Sequence, residues 1–297
     1  MIEKKLTIAI PTYKRPDFLD KCLSSIFSAI DGEDVDVLVM DDSVDDTNIP
    51  VCKKYEGIRH IRNEKNLGID ANICACVENA ESQYVWLIGE DDLIRKKSFR
   101  EAYSILGRIG NYPFVFANYS YITSDQKFVL RNVSVDVAYG EMEFKKFFED
   151  YLWSAGFVGG CIVNRSAFLG TDYKNYIGTY YAHVAGICLA SLGDKIFVIN
   201  RPIVGNRVGN AATFTWAEDY FGVFEGWRAL LNRMKCYFGE DSYQKAFESH
   251  KKAHGYLKYK FLLNKKADGL LNKSDVEKLI SFGAGHDEIR RAFFVSK

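Results

Sequence analysis

The sequence predicts an α/β fold, a mostly parallel sheet flanked by helices, with a helical C-terminal extension. Three observations carry that prediction. Across residues 1–110, short apolar runs of strand length alternate with stretches of helical spacing. Three of those runs stop abruptly at polar or acidic clusters. From Thr215 onward the apolar residues form one broad helical stripe, and no proline occurs after Pro202.

The first run, 6–10 (LTIAI), reads as a strand. Pro11 and Pro16 bracket the loop after it, because proline offers no ladder N–H and is expected to stop a central strand. Phe18, Leu19, Cys22, Leu23, Ile26, Phe27 and Ile30 then follow with the spacing of an amphipathic helix. A second strand, 35–40 (VDVLVM), runs into Asp41, Asp42, Ser43, Val44, Asp45 and Asp46. Asp45 or Asp46 can cap the next helix, which leaves Asp41 and Asp42 free to bind something. A weaker strand at 58–62 and a helix at 71–80 lead to the run 84–88 (YVWLI), which ends in Gly89, Glu90, Asp91 and Asp92. Burying unpaired carboxylates is costly, so these acids are expected just beyond the strand's C-terminal end. Open α/β sheets bind their ligands at that edge.

Beyond Asp92 the pattern loosens. We expect a helix at 97–109, a strand at 114–117, a hairpin of 119–122 with 128–130, and a helix at 141–151. A glycine-rich strand at 156–163, a helix at 180–192, a strand at 196–199 and the run 202–210 (PIVGNRVGN) follow. The expected boundary lies near residue 212, with 213–297 as the helical region.

Composition narrows the function. Lys+Arg (39) equals Asp+Glu (39), so no global field favours nucleic acid. No signal-peptide h-region and no apolar run of membrane-spanning length occurs, so a cytoplasmic protein is expected. The seven cysteines are scattered without zinc-site spacing and read as small buried residues. Residues 235–266 hold eight lysines against three acids, interleaved with aromatics, a composition open to a solvated helix face or to peripheral contact with an anionic membrane at its inner face.

Parallel strand order gathers Pro11-Thr12-Tyr13, Asp41-Asp42 and Glu90-Asp91-Asp92 at one sheet edge. An aromatic ring beside a carboxylate suits a nucleobase and ribose. Three crowded carboxylates repel one another unless a cation sits among them, and oxygen ligands suit Mg²⁺ or Mn²⁺. Neither G-x-x-x-x-G-K nor G-x-G-x-x-G occurs, which argues against a P-loop NTPase and a dinucleotide dehydrogenase.

The segments LTIAIPTYKR (6–15), VMDDSVDD (39–46), NLGIDAN (66–72) and WLIGEDD (86–92), in this order and spacing, resemble the family 2 glycosyltransferases of GT-A (Rossmann-like) fold. The resemblance is greatest to bacterial members that build O-antigen lipopolysaccharide and capsule, the abequosyltransferase-like group included. It implies inverting transfer of a sugar from a nucleotide-diphosphate sugar to a saccharide acceptor, expected to be lipid-linked, with Mg²⁺ or Mn²⁺ at the diphosphate. Residues 1–110 would then take the donor and 111–212 the acceptor. The matching motifs place Pro11, Thr12, Tyr13, Arg15, Asp41, Asp42, Asn66, Gly68, Asn72, Glu90 and Asp91 around the donor. Arg207, in a late segment similar to the family's, would approach the diphosphate. Glu90, Asp91 and Asp92 stand at the metal motif, with Glu90 where many members have Asp, and which of them touch the ion is left open. The Glu-Asp pair that many relatives use as base is absent between Gly156 and Gly193, leaving Asp172, His183 and Asp194, of which His183 falls at the expected place. Two alternatives stand: a nucleotidyltransferase, though residues 11–16 lack the glycines such enzymes use for a triphosphate, and a non-catalytic partner subunit that binds nucleotide-sugar.

Overall fold

A computed structural model describes residues 6–123, 135–207, 219–255 and 257–294. The chain begins β1 (Leu6–Thr12), α1 (Pro16–Ile30), β2 (Val35–Asp41), α2 (Ile49–Cys52), β3 (Ile58–Arg62), α3 (Ile69–Asn79) and β4 (Tyr84–Leu87). It continues with β5 (Leu93–Ile94), α4 (Lys96–Leu106), β6 (Phe114–Ile122), β7 (Gly140–Glu143), α5 (Phe144–Asp150), β8 (Cys161–Asn164), α6 (Arg165–Leu169), α7 (Ala182–Ala190) and β9 (Lys195–Arg207). Five helices close it: α8 (Tyr220–Phe238), α9 (Glu240–His254), α10 (Tyr259–Ala267), α11 (Val276–Ser281) and α12 (His286–Phe293).

Among the described residues the strands form one mixed sheet in the order β3-β2-β1-β4-β8-β6-β9-β5, with β7 on β9. The first four are mutually parallel, as the alternating pattern requires. Strand β8 runs antiparallel to both β4 and β6, and β9 parallel to β6. Strand β9 therefore points the same way as β1 and β4. Its C-terminal residue, Arg207, arrives at the edge where β1, β2 and β4 end, and its N-terminal neighbour Asp194 lies at the opposite edge.

Several elements differ from the sequence expectation. Pro11 lies inside β1, paired with Met40 of β2. The reason is parity. Ala9 turns its carbonyl toward β4, accepting from Ile88 N–H at 3.0 Å, and Pro11 faces the same side where β4 has already stopped. The glycine-rich stretch is mostly 3₁₀ turn, Leu152–Gly156 and Val158–Gly160, with strand confined to β8; the Gly159 carbonyl accepts from the indole N–H of buried Trp86 at 2.9 Å. Residues 119–122 continue β6 and pair in parallel with β9, and the expected partner strand 128–130 falls outside the described residues. Residues 141–143 belong to β7 rather than to a helix, their glutamates alternating outward along the β9 edge. Cys236 is exposed while the other six cysteines are buried, and all are free thiols. No helix among the described residues is long and apolar enough to cross a membrane.

The main core covers both faces of the sheet and includes Trp227, Leu230, Leu231 and Met234 of α8. A second, smaller core around Leu262, Leu279, Phe282 and Phe293 joins the last helices, and Phe224 of α8 belongs to it. Helix α8 thus bridges the two. Its approach is close: a Cβ at Gly226 would lie 1.9 Å from the carbonyl oxygen of Thr179. In an open helix Gly→Ala gains up to about 1 kcal/mol. Here overpacking against backbone reverses the sign, and we expect Gly226→Ala to destabilise by about 1–3 kcal/mol in urea unfolding. A neutral or stabilising result would contradict this packing.

Candidate active site

Three loops leave the sheet at the shared edge. After β1, Thr12 is buried and Tyr13 is 43% exposed, and Lys14 takes a left-handed conformation (φ 53°). The turn is held by Lys14 N–H donating to Ser43 Oγ at 2.8 Å and Lys14 Nζ pairing with Asp45 at 2.9 Å. After β2, Asp41 and Asp42 are buried and fully engaged, which corrects the expectation that they are free. Asp41 accepts from Ser43 N–H (2.9 Å), Asn48 Nδ2 (3.0 Å) and His60 Nε2 (3.1 Å). Its bond to Asp41 is the main reason the His60 imidazole is pushed up to about 9. Asp42 accepts from Leu67 N–H (2.7 Å), Gly68 N–H (3.0 Å) and Asn63 Nδ2 (2.9 Å), so it closes the loop before α3 over the β2 end. Asn66 helps fold that loop, its Oδ1 accepting from Gly68 N–H at 2.9 Å. Asn72 is a buried strut, donating to Met40 O at 3.1 Å and accepting from Asn63 at 2.9 Å.

The acids after β4 sit deeper. Glu90 turns inward: Thr12 Oγ1 and Tyr13 N–H (3.1 Å) donate to its Oε2, and Arg15 pairs with its Oε1 at 3.0 Å. Asp91 Oδ2 accepts from Arg207 Nε at 3.0 Å and from the same guanidinium's NH2 at 2.6 Å, with Arg15 3.6 Å away. Asp92 accepts from Arg207 N–H at 3.3 Å. Gly89 makes this folding possible, because a Cβ there would lie 2.6 Å from Asp92 Oδ2 and 3.4 Å from Asp91 Oδ1. The Arg15 and Arg207 guanidinium groups each lie 4.4 Å from the centre of the Phe18 ring, which positions both cations at the acids. Three carboxylates thus face two guanidinium groups. Burial pushes the Glu90 carboxyl up to about 7, against the pull of Thr12, Arg15 and Tyr13 N–H. Burial and the Asp91 charge push Asp92 well above the usual carboxylate range. Among the described residues, no three His, Cys, Asp or Glu side chains converge as an ion cage.

The proposed bases separate. Asp194 is exposed at the opposite sheet edge, and Asp172 is exposed beside the C-terminal part of α3, where its neighbour Tyr173 bonds Glu78. Neither is brought to the acids, because the topology delivers the C-terminal ends of β1, β2, β4 and β9 there and neither residue follows one of those ends. His183 stands in the first turn of α7, buried at 1% exposure. Its Nε2 lies 3.2 Å from Ala155 O while Nδ1 has no hydrogen-bond partner, and burial lowers its basicity. Sequence reasoning missed Asn48, Asn63, His60 and Phe18. Only Phe18 had a signal, and its apolar helical spacing read simply as core. It also missed Asp70, buried although it stands in the NLGIDAN motif.

A mixed sheet wrapped by helices, with acids and arginines gathered where its parallel strands end, is the architecture of the GT-A glycosyltransferases. Crystal structures of S. aureus TarS 1-349 in complex with UDP-GlcNAc (TM-score 0.64, 15% identity, 97% of this chain and 81% of that one) and of the Pyrobaculum calidifontis mannosyltransferase PcManGT in complex with GDP-Man and Mn²⁺ (TM-score 0.56, 15% identity, 96% and 80%) share this fold. Residues 7–170 match the sequence profile of glycosyl transferase family 2, and the chain belongs to that family. It is 30% identical over 99 residues to the abequosyltransferase RfbV of Salmonella typhimurium, covering 31% of this chain and 30% of RfbV. It is 25% identical over 163 residues to the glycosyltransferase GlyA of Streptococcus pneumoniae, covering 50% of this chain and 23% of GlyA. The matched stretches therefore span less than a third of either relative.

The buried Glu90 sets a pH test. Its raised carboxyl means the folded state holds the proton more tightly than the unfolded chain does. Wild type should therefore lose stability relative to Glu90→Gln as pH rises from the ordinary Glu value of about 4.3 through about 7. Thermal midpoints of both proteins between pH 4 and 8 check this. A difference that does not change with pH would contradict a raised Glu90.

Proposed function

We propose that the chain is an inverting glycosyltransferase that moves a sugar from a nucleotide-diphosphate sugar to a saccharide acceptor in surface polysaccharide assembly. One observation carries the reading. Arg15 and Arg207 converge on Glu90 and Asp91 at the same sheet edge that presents exposed Tyr13, Val44 and Leu67 on the loops after β1, β2 and β3. Those exposed apolar groups suit a nucleoside, and the two guanidinium groups suit its diphosphate, which they can grip with planar donor pairs. RfbV and TarS, bearing the names of sugar-transferring and UDP-GlcNAc-binding proteins, support the same choice.

Mg²⁺ or Mn²⁺ fits this site in a limited sense. Such ions are commonly held by one or two carboxylates together with substrate phosphates, so a three-acid cage is not required. Asp91 and Asp92, folded back around Gly89, would hold the ion, whereas Glu90 is committed to Thr12, Tyr13 and Arg15. When bound, it would neutralise charge on the departing diphosphate. Arg15 and Arg207 balance the acids meanwhile and are placed to turn toward the phosphates. Tyr13 offers a ring for the base, and Asp42 acts indirectly by shaping the loop 63–68.

His183 is the base in this reading. With Nε2–H donating to Ala155, Nδ1 carries a free lone pair that is buried in this structure, so the acceptor hydroxyl would have to displace the residues covering it before giving up its proton there. Residues 1–110 would serve the donor and 111–212 the acceptor. The site would face the cytoplasm, with exposed Lys252 and Lys260 available to an anionic membrane carrying a lipid-linked acceptor.

The experiment is release of nucleoside diphosphate from a panel of UDP-, GDP-, CDP- and dTDP-sugars with Mn²⁺. A transferase releases it, a silent binding subunit releases none, and a nucleotidyltransferase releases pyrophosphate from nucleoside triphosphates instead. His183→Ala should lower kcat by about 10²-fold or more. A kcat within about threefold of wild type would remove His183 from the base role.

A further inference from the structure

We propose that Asp70 is a positioning residue for glycosyl transfer, its carboxylate tying the donor-side loop before α3 to the backbone that carries His183. The inference rests on the transfer reading and adds the element that joins its two halves. Asp70 is 4% exposed and stands in the first turn of α3. Three backbone N–H groups more than a hundred residues away in sequence donate to it: Gly178 (2.9 Å) and Tyr180 (2.7 Å) to Oδ2, and Ala182 (3.1 Å) to Oδ1. Ala182 opens α7, and His183 is its next residue. On its other side, the residues just before Asp70 donate through Leu67 and Gly68 N–H to Asp42. One four-residue stretch therefore holds the β2 end with its N–H groups and the α7 entry with its carboxylate.

The loop so held is not one that relaxes there on its own. Tyr180 has a left-handed backbone (φ 67°), which a residue with a bulky side chain adopts only when its surroundings impose it. Its hydroxyl reaches Asp219 at 2.9 Å, and α8 presses Gly226 onto Thr179, so the loop is gripped between α3 and α8. The chemistry of the grip demands a carboxylate. All three bonds run from N–H into Asp70, and an asparagine would turn its own NH₂ toward at least one of those donors. Asp70→Asn is therefore a change of charge and bonding with little change of shape.

The test compares wild type, Asp70→Asn and Tyr180→Gly, using the sugar nucleotide that wild type turns over fastest from the panel above with Mn²⁺. We expect kcat for nucleoside diphosphate release to fall by about 20-fold in Asp70→Asn, while KM for the donor stays within about threefold. Hydrogen exchange at the amides of 178–182 should quicken by about tenfold with the β1–β4 amides unchanged. Tyr180→Gly keeps all three N–H donors to Asp70 and accepts the left-handed backbone without strain, so its kcat should stay within about threefold of wild type. If Asp70→Asn fails to fold, Asp70→Glu, which keeps the charge but displaces it by one methylene, takes its place with the same expected loss. A kcat in the Asp70 variant within about threefold of wild type, a donor KM that rises in step with the loss of kcat, or an equal loss in Tyr180→Gly, would overturn the assignment. Should wild type release no nucleoside diphosphate from any donor, the transfer reading fails instead, and the exchange comparison still judges the tie: unchanged exchange at 178–182 overturns it.

Discussion

The structure depends on placing like charges at the mouth of a buried strand and still folding. Strand β4 is wholly buried, so the residues that follow it leave the core at a point where water is scarce. Three successive carboxylates there repel one another and lose hydration, which is why burial leads the causes that raise Glu90 and Asp92. The fold answers with two arginines brought from opposite ends of the α/β region. Arg15 comes from the loop after β1 and Arg207 from the end of β9, and Phe18 lies against both. The sheet order that places β9 parallel to β1 is therefore a condition of the site, since an antiparallel β9 would deliver Asp194 to the acids in place of Arg207.

Much of the first half was legible in the sequence because one physical rule repeats there. Buried parallel strands are continuous apolar runs, and each ends where polar side chains can reach solvent or partners. Strands β1, β2 and β4 follow that rule, and their bounds, like those of the half-buried β3 and of helices α1 and α3, fall within a residue or two of the sequence expectation. The acids and the shared edge were readable for the same reason, whereas Arg207 was readable only through the family resemblance. What was not readable depends on contacts distant in sequence. Pro11 inside β1 is intelligible only once β4 is known to stop at Leu87. The engagement of Asp42 depends on N–H groups of 67 and 68, which no pattern assigns to it. In the second half, β7 and the 3₁₀ turns before β8 are set by β9 and by Trp86, not by local spacing.

The C-terminal helices are more than an appendage in their packing. Helix α8 puts Trp227 and Leu230 into the main core and Phe224 into the smaller one, and it touches the 178–181 loop through Gly226. Its position links the last helices to the loop that leads into α7. The same loop is tied on its other side to Asp70 and, through residues 67 and 68, to the β2 end. Residues 1–110 and 111–212 thus share a short chain of hydrogen bonds and close contacts.

The central claim is that acids and arginines at the sheet edge form a nucleotide-diphosphate pocket. It is tested most directly by a thermal-shift titration with UDP and GDP, each with and without Mn²⁺. A nucleoside diphosphate at about 100 times its Kd should add about 2.7 kcal/mol of stability, with the shift larger when Mn²⁺ is present and abolished in Arg207→Ala. No shift with either nucleotide, or one unchanged in Arg207→Ala and indifferent to Mn²⁺, would contradict it.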